Sequence, residues 1–241
     1  MSNVKNIIDT LKNQGANPDL SQINLIEKLC KMNISKKFSF KKVFFKDNLL
    51  GTYIWGDVGR GKTLITKTYL KELKRDDIKS FHYIDLMSYI HDQLNKNFGV
   101  KNPLSKIAKT LTKDTSIIFI DEFQVEDVAD AMIIGDLLKL ISGHGTKIIL
   151  TSNAHPNDLY LDGLQRQKFL VSLKIFLKNV NIHKLDGDID YRTRNIIKFD
   201  EHDSNKIISS YKDEGFTDVK VSYVLEKTSL NNNILYFYIS I

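Results

Sequence analysis

The chain has 241 residues, 42% of them hydrophobic, which suffices for one full-sized core with a small appendage and excludes two large domains. Its net charge of +6 invites a nucleic-acid reading, but only five of the 35 basic residues are arginine, and a lysine-, asparagine- and isoleucine-rich composition is explained by an AT-rich genome. One cysteine, Cys30, excludes an internal disulfide framework; no apolar run approaches the roughly twenty residues of a membrane span, and Met1 to Asn6 leads into no signal-peptide core, so a soluble cytoplasmic protein is expected.

Residues 2–13 and 20–33 carry the periodicity of two amphipathic helices, the second opened by Asp19 or Ser21 and lined by Ile23, Leu25, Ile26, Leu29 and Cys30. Ser35 to Lys46 interleaves lysines with aromatics. That pattern would suit a membrane surface or single-stranded nucleic acid, but a solvated linker whose Phe residues pack on the core is the simpler reading. The spacing then predicts a strand over 49–55, a helix to about residue 74, a strand at Phe81–Ile84 and a helix over Leu86–Leu94. After Gly99 and Pro103 come a helix from Leu104 to Leu111, a strand over 116–121 and a long helix from Val125 to Ile141 that Gly143 and Gly145 end. A strand at Lys147–Thr151, a helix over 164–177 and a strand at Val180–Leu185 complete the order. Five strands alternating with helices predict an α/β, doubly wound, mostly parallel sheet whose ligands sit at the strands' C-terminal ends.

Gly56, Asp57, Val58, Gly59, Arg60, Gly61, Lys62 and Thr63 fit the phosphate-loop pattern G-x-x-x-x-G-K-[ST] at every fixed position, between a strand and a helix. The glycines let backbone N–H groups turn inward around phosphates, Lys62 reaches the β and γ phosphates, and the Thr63 hydroxyl is placed to ligand Mg²⁺. Phosphate binding alone hydrolyses nothing. The apolar run Ile117–Ile120 forms a strand buried on both faces and delivers Asp121, to hold the metal through water, and Glu122, to polarise the attacking water. The adjacent Glu points to an ATPase that keeps its base beside the metal carboxylate. ATP and Mg²⁺ are the expected cofactors. The six histidines have no paired metal spacing with Cys or carboxylates.

Just past the fourth strand, Asn153 is placed to hold the lytic water between the phosphate loop and Glu122. Where lysine serves as the ordinary solvated charge, arginine marks jobs that need a planar fork, which singles out Arg60, Arg166, Arg192 and Arg194. Arg166, at the start of a helix, is a candidate finger for a neighbouring subunit's γ-phosphate; a surface ion pair is the competing reading.

Several blocks together resemble the ZapE cell-division ATPase family and its mitochondrial AFG-like relatives. They are Gly51–Gly56, Phe81–Tyr83, Ile90–Leu94, Asn102–Leu104, Phe119–Ile133, Thr151–Asn153, Asp158–Tyr160, Gly163–Arg166 and Leu185–Arg192, within a match over about residues 16–194. The resemblance implies an AAA+-like Mg-ATPase that in bacteria acts on the tubulin-like protein FtsZ at the division septum, near the inner membrane. It also implies Lys62 and Glu122 as binding and catalytic residues, Asn153 as a sensor and Arg166 as a finger. Homo-oligomerisation and peripheral membrane association fit this reading; nucleic acid is not expected as a partner. Family members continue for a further hundred or more residues, so the expected organisation is N-terminal helices and basic linker over 1–47, an ATPase core over 48–194, and a small C-terminal segment over 195–241 standing for a shortened lid. Two alternatives share the core: a helicase loader of the DnaC or IstB kind, and a non-hydrolysing, nucleotide-controlled adaptor.

Overall fold

The computed structural model describes residues 2–32, 34 and 49–186, together with two strands farther on, Lys220–Val224 and Tyr236–Ser240. The chain divides into two compact units, Met1–Tyr191 and Arg192–Ile241. The basic aromatic linker at 35–46, the block Gly187–Arg192 and Arg194 lie outside the described residues.

In the first unit, α1 (Ser2–Asn13) and α2 (Leu20–Cys30) precede β1 (Gly51–Trp55), α3 (Lys62–Glu72), β2 (Ile78–His82), α4 (Tyr83–Lys96) and α5 (Pro103–Thr112). Next come β3 (Ile117–Asp121), α6 (Val128–Gly143), β4 (Lys147–Ser152), α7 (Arg166–Leu177) and β5 (Val180–Lys184). The five strands form one sheet in the order β2-β3-β4-β1-β5, every pairing parallel. The second unit holds an antiparallel pair, β6 (Lys220–Val224) and β7 (Tyr236–Ser240).

Alternation along the central strands sorts side chains into two cores, because successive residues of a strand point to opposite faces. Tyr53, Ile118, Ile120, Ile148 and Leu150 join the core built with α4 to α7, while Ile54, Ile117, Phe119 and Ile149 join the core under α1 to α3. Continuing that alternation by one step carries Asp121 to the α3 face of the sheet.

Several boundaries differ from expectation, each for a local reason. The second strand was expected at Phe81–Ile84 and runs over Ile78–His82, with Tyr83 opening α4. As the sheet's edge strand it is only half-buried, so its polar residues give no apolar run to read. The long helix begins at Val128 instead of Val125, because the Asp127 carboxylate caps it by accepting from the Ala129 and Asp130 amides. Of the two openers considered for α2, Asp19 serves, in a reciprocal capping box with Gln22.

The close pairing of β1 to β4 requires Gly51. A Cβ there would lie 1.8 Å from the Ile148 carbonyl oxygen.

Candidate nucleotide site

The phosphate loop leaves β1 at Trp55 and enters α3 at Lys62. Gly59 and Gly61 have φ of +86° and +81°, left-handed values that tighten the loop around its own amides, and Gly61 is the N-cap of α3. Gly56 has φ +147°, and a Cβ on it would come 2.5 Å from the Leu185 carbonyl oxygen, so the loop's first residue must be glycine for both reasons. Amides turned inward ahead of a helix N-terminus make an anion cradle. Lys62 is buried, and its Nζ donates to the carbonyls of Gly56, at 2.6 Å, and Asp57, at 2.7 Å, which holds the ammonium over the loop. From α2, the Gln22 amide donates to the Arg60 carbonyl at 2.9 Å and props the loop from behind.

Asp121, buried at the end of β3, meets the loop on the α3 face. Thr63 Oγ1 donates to its Oδ1 at 2.7 Å, Thr151 Oγ1 donates to the same oxygen at 2.5 Å, and Lys67 Nζ stands 3.5 Å from Oδ2. A hydroxyl and a carboxylate side by side are hard oxygen donors, and Mg²⁺ is held by one or two such groups plus phosphate and water instead of an all-protein cage. The residues therefore fit the pair of ligands expected of a bound Mg-nucleotide: the loop amides and Lys62 for the phosphates, Thr63 and Asp121 for the metal.

Glu122 turns away from the strand with φ +54°, a left-handed conformation uncommon for a residue with a Cβ. Its amide donates to Thr151 Oγ1 at 3.1 Å, and the next residue is fixed on both sides of its peptide: Phe123 N donates to the Thr151 carbonyl at 2.7 Å, and Ser152 Oγ donates to the Phe123 carbonyl at 2.7 Å. Phe123 itself is fully buried, edge-on to Tyr53 at 6.3 Å and to Tyr83 at 5.3 Å. The backbone is thus held while the carboxylate remains largely exposed, 3.2 Å from His82 Nε2.

Asn153 follows β4 in an exposed bend. Ser152 pairs with Trp55, so Asn153 and Gly56 leave adjacent strands at the same level of the sheet edge. Arg166 opens α7, and its guanidinium donates to the carbonyls of Leu159, at 3.3 Å, and Asn157, at 2.5 Å. Among the described residues its partners are backbone carbonyls of its own chain, neither the surface carboxylate of an ion pair nor the phosphate loop.

Three contributors escaped the sequence. Thr151 carries the hydroxyl that joins Asp121 to the Glu122 amide, but read from the sequence it is one more β-branched strand residue. Lys67 follows Thr63 by four residues, the spacing of one helix face, and that was the available signal. His82 ends β2 in register with Asp121, a juxtaposition that only strand pairing reveals.

A parallel sheet with a phosphate loop after β1 and an acidic pair at the end of β3, the buried strand one place beyond β4, defines a P-loop nucleotide-binding protein. The chain belongs to the AFG1-like ATPase family, which it matches over residues 1–219. It is 34% identical over 146 residues to the cell division protein ZapE of Escherichia coli strain K12, an alignment covering 61% of this chain and 39% of that protein. It is 32% identical over 155 residues to lactation elevated protein 1 homolog B of Danio rerio, covering 60% of this chain and 31% of that one. The matched region is thus well under half the length of these curated relatives. Among solved structures, a DnaC helicase loader aligns with 70% of this chain and 92% of its own, at 13% identity and a TM-score of 0.49. An Aquifex aeolicus DnaA bound to AMPPCP aligns with 82% of this chain and 53% of its own, at 16% identity and a TM-score of 0.48. Among the described residues, no helix is long and apolar enough to cross a membrane.

Proposed function

We propose that this chain binds Mg-ATP and hydrolyses it, as an AAA+-like ATPase. The observation that carries the reading is the junction of Thr63, Asp121 and Thr151 on one buried carboxylate oxygen, with Glu122 next along the chain. In this reading the loop amides and Lys62 bind the phosphates, and Thr63 and Asp121 hold the metal. When bound, Mg²⁺ draws charge from the transferring phosphoryl group. Glu122 accepts a proton from the attacking water, a task suited to a carboxylate on a pinned backbone with an exposed head. Asn153, level with Gly56, orients that water. Arg166 acts from a neighbouring copy of the chain, which makes the working form a homo-oligomer.

Kinship to a protein named as a cell division protein supports a role in cell division; the family resemblance supplies FtsZ polymers at the division septum as the partner, with the chain cytoplasmic and able to associate peripherally with the membrane. Single-turnover hydrolysis of ATP by the pure chain, with and without FtsZ polymers, tests both levels. Native protein is expected to turn over ATP with Mg²⁺ and to respond to FtsZ. Glu122→Gln is expected to keep ATP binding and to lose turnover, since the amide preserves shape without the base. Native-rate hydrolysis by Glu122→Gln would move the base elsewhere, and indifference to FtsZ would remove that partner without touching the ATPase reading.

A further inference from the structure

Away from the nucleotide site, helices α6 and α7 are pressed together at one point and separated at another. A Cβ on Gly135 would lie 2.7 Å from Ser172 Cβ, so the helices touch there nearly backbone to backbone. Beside that contact the Ser172 hydroxyl donates to Asp136 at 3.0 Å, and Lys139 stands 3.3 Å from the same carboxylate oxygen. Beside that contact, between the N-terminal halves of both helices, lies an open cleft of about 470 Å³ lined by Ala131, Met132, Gln167, Lys168, Phe169 and Val171, with Asp136 and Ser172 also on its wall.

The outer face of α7 continues the cleft. Val171 is 59% exposed and Ile175, one turn on, is 46% exposed, although a surface helix ordinarily turns polar residues outward. Lys168, Lys174 and Lys178 surround this apolar pair, and α7 carries no acidic residue. The one carboxylate in the cleft, Asp136, is already engaged by Ser172 and Lys139. An apolar strip framed by lysines with no acidic partner among the described residues, beside an open cleft, is complementary in shape to an inserted side chain and in charge to an acidic flank. A membrane surface suits it less, because a lipid face seeks a convex, all-basic rim and has no use for a concave cleft with a carboxylate on its wall.

We propose that the α6–α7 cleft and the outer face of α7 dock a peptide segment in which apolar residues one helical turn apart are flanked by Asp or Glu, laid in the groove as an amphipathic helix. The site does not depend on the nucleotide reading, since binding is measured without nucleotide. The probe is a display library of random peptides selected on the full chain, with the winners resynthesised and titrated by fluorescence anisotropy. Winners are expected to combine helically spaced Leu, Ile, Met or Phe with Asp or Glu, and to bind less tightly as salt rises. Lys168→Glu and, separately, Val171→Glu should each weaken them roughly tenfold or more. Both positions are solvent-facing, so circular dichroism and melting should match the native chain. Selection that yields no binders, winners without acidic bias, or winners indifferent to both variants would overturn the proposal. It would also fall if phosphatidylcholine–phosphatidylglycerol vesicles, and not peptides, bound the native chain and lost Lys168→Glu. Sedimentation showing self-association that Val171→Glu abolishes would give the face to a second copy instead.

Discussion

Around the phosphate loop, at the C-terminal ends of β1, β3 and β4, the groups expected to meet phosphate and metal are bonded to one another: Lys62 to its own loop, and Thr63 and Thr151 to Asp121 across three elements. Beyond β4 the arrangement is looser, with Asn153 exposed in a bend and Arg166 spending its donors on the carbonyls of Asn157 and Leu159. The difference is one of scaffold. The first region sits on the ends of buried central strands, which fix side chains by packing, whereas the second hangs on a surface segment whose geometry is set by its own hydrogen bonds and by whatever docks against it.

The comparison breaks most sharply at Lys62. Lys62→Ala should lower ATP affinity by at least about a hundredfold, because hydrogen bonds to charged groups are worth roughly 1.5–3 kcal/mol each and the lysine carries several. Calorimetry with undiminished affinity would remove the phosphate-loop assignment.

Arg166 tests the looser region. If it acts across a subunit boundary, Arg166→Lys should leave ATP binding near native and lower hydrolysis by about 10³, since a lysine lacks the forked donors. Glu122→Gln subunits that still carry Arg166 should partly rescue it on mixing. Absence of rescue, with native activity independent of protein concentration, would confine Arg166 to holding the 157–159 turn.

Thr151→Val, nearly isosteric, removes the hydroxyl that Asp121 accepts from and that the Glu122 amide donates to. It should cost roughly 1–3 kcal/mol of stability and slow hydrolysis more than it weakens ATP binding. A variant with native stability and turnover would show that strand packing alone positions Glu122.

The smallest effect concerns pH. His183, buried on β5, has its Nδ1 3.1 Å from Lys28 Nζ of α2; burial first, and the Lys28 charge second, hold its pKa below the ordinary histidine value. With the folded pKa depressed, the unfolded chain binds the proton more readily. The contribution is therefore fully present above the ordinary value near 6.5 and is lost as pH falls through the folded value. Native melting temperature should drop on acidification below about pH 6.5, and His183→Gln should flatten that part of the slope. An unchanged slope would assign the acid sensitivity to other groups.

Much of this was legible without coordinates. The phosphate loop, the apolar strand ending in Asp121 and Glu122, and the alternation of helices and strands follow from residue type and spacing, because a motif of glycines, one lysine and one hydroxyl leaves few other uses and a doubly buried strand must be apolar. The strand β2 was read three residues late because an edge strand is half-solvated and needs no apolar run. The start of α6 was misplaced because a cap, not periodicity, decides where a helix begins. Strand order lay beyond the sequence altogether: the pairing of β4 with β3 sets Thr151 beside Asp121, and the pairing of β2 with the other edge of β3 brings His82 level with the acidic pair. Local chemistry chose the residues that can bind a nucleotide. Which of them touch, and which face of the sheet Asp121 turns toward, was decided by pairing between strands distant in the chain, a non-local choice that no window of neighbouring residues encodes.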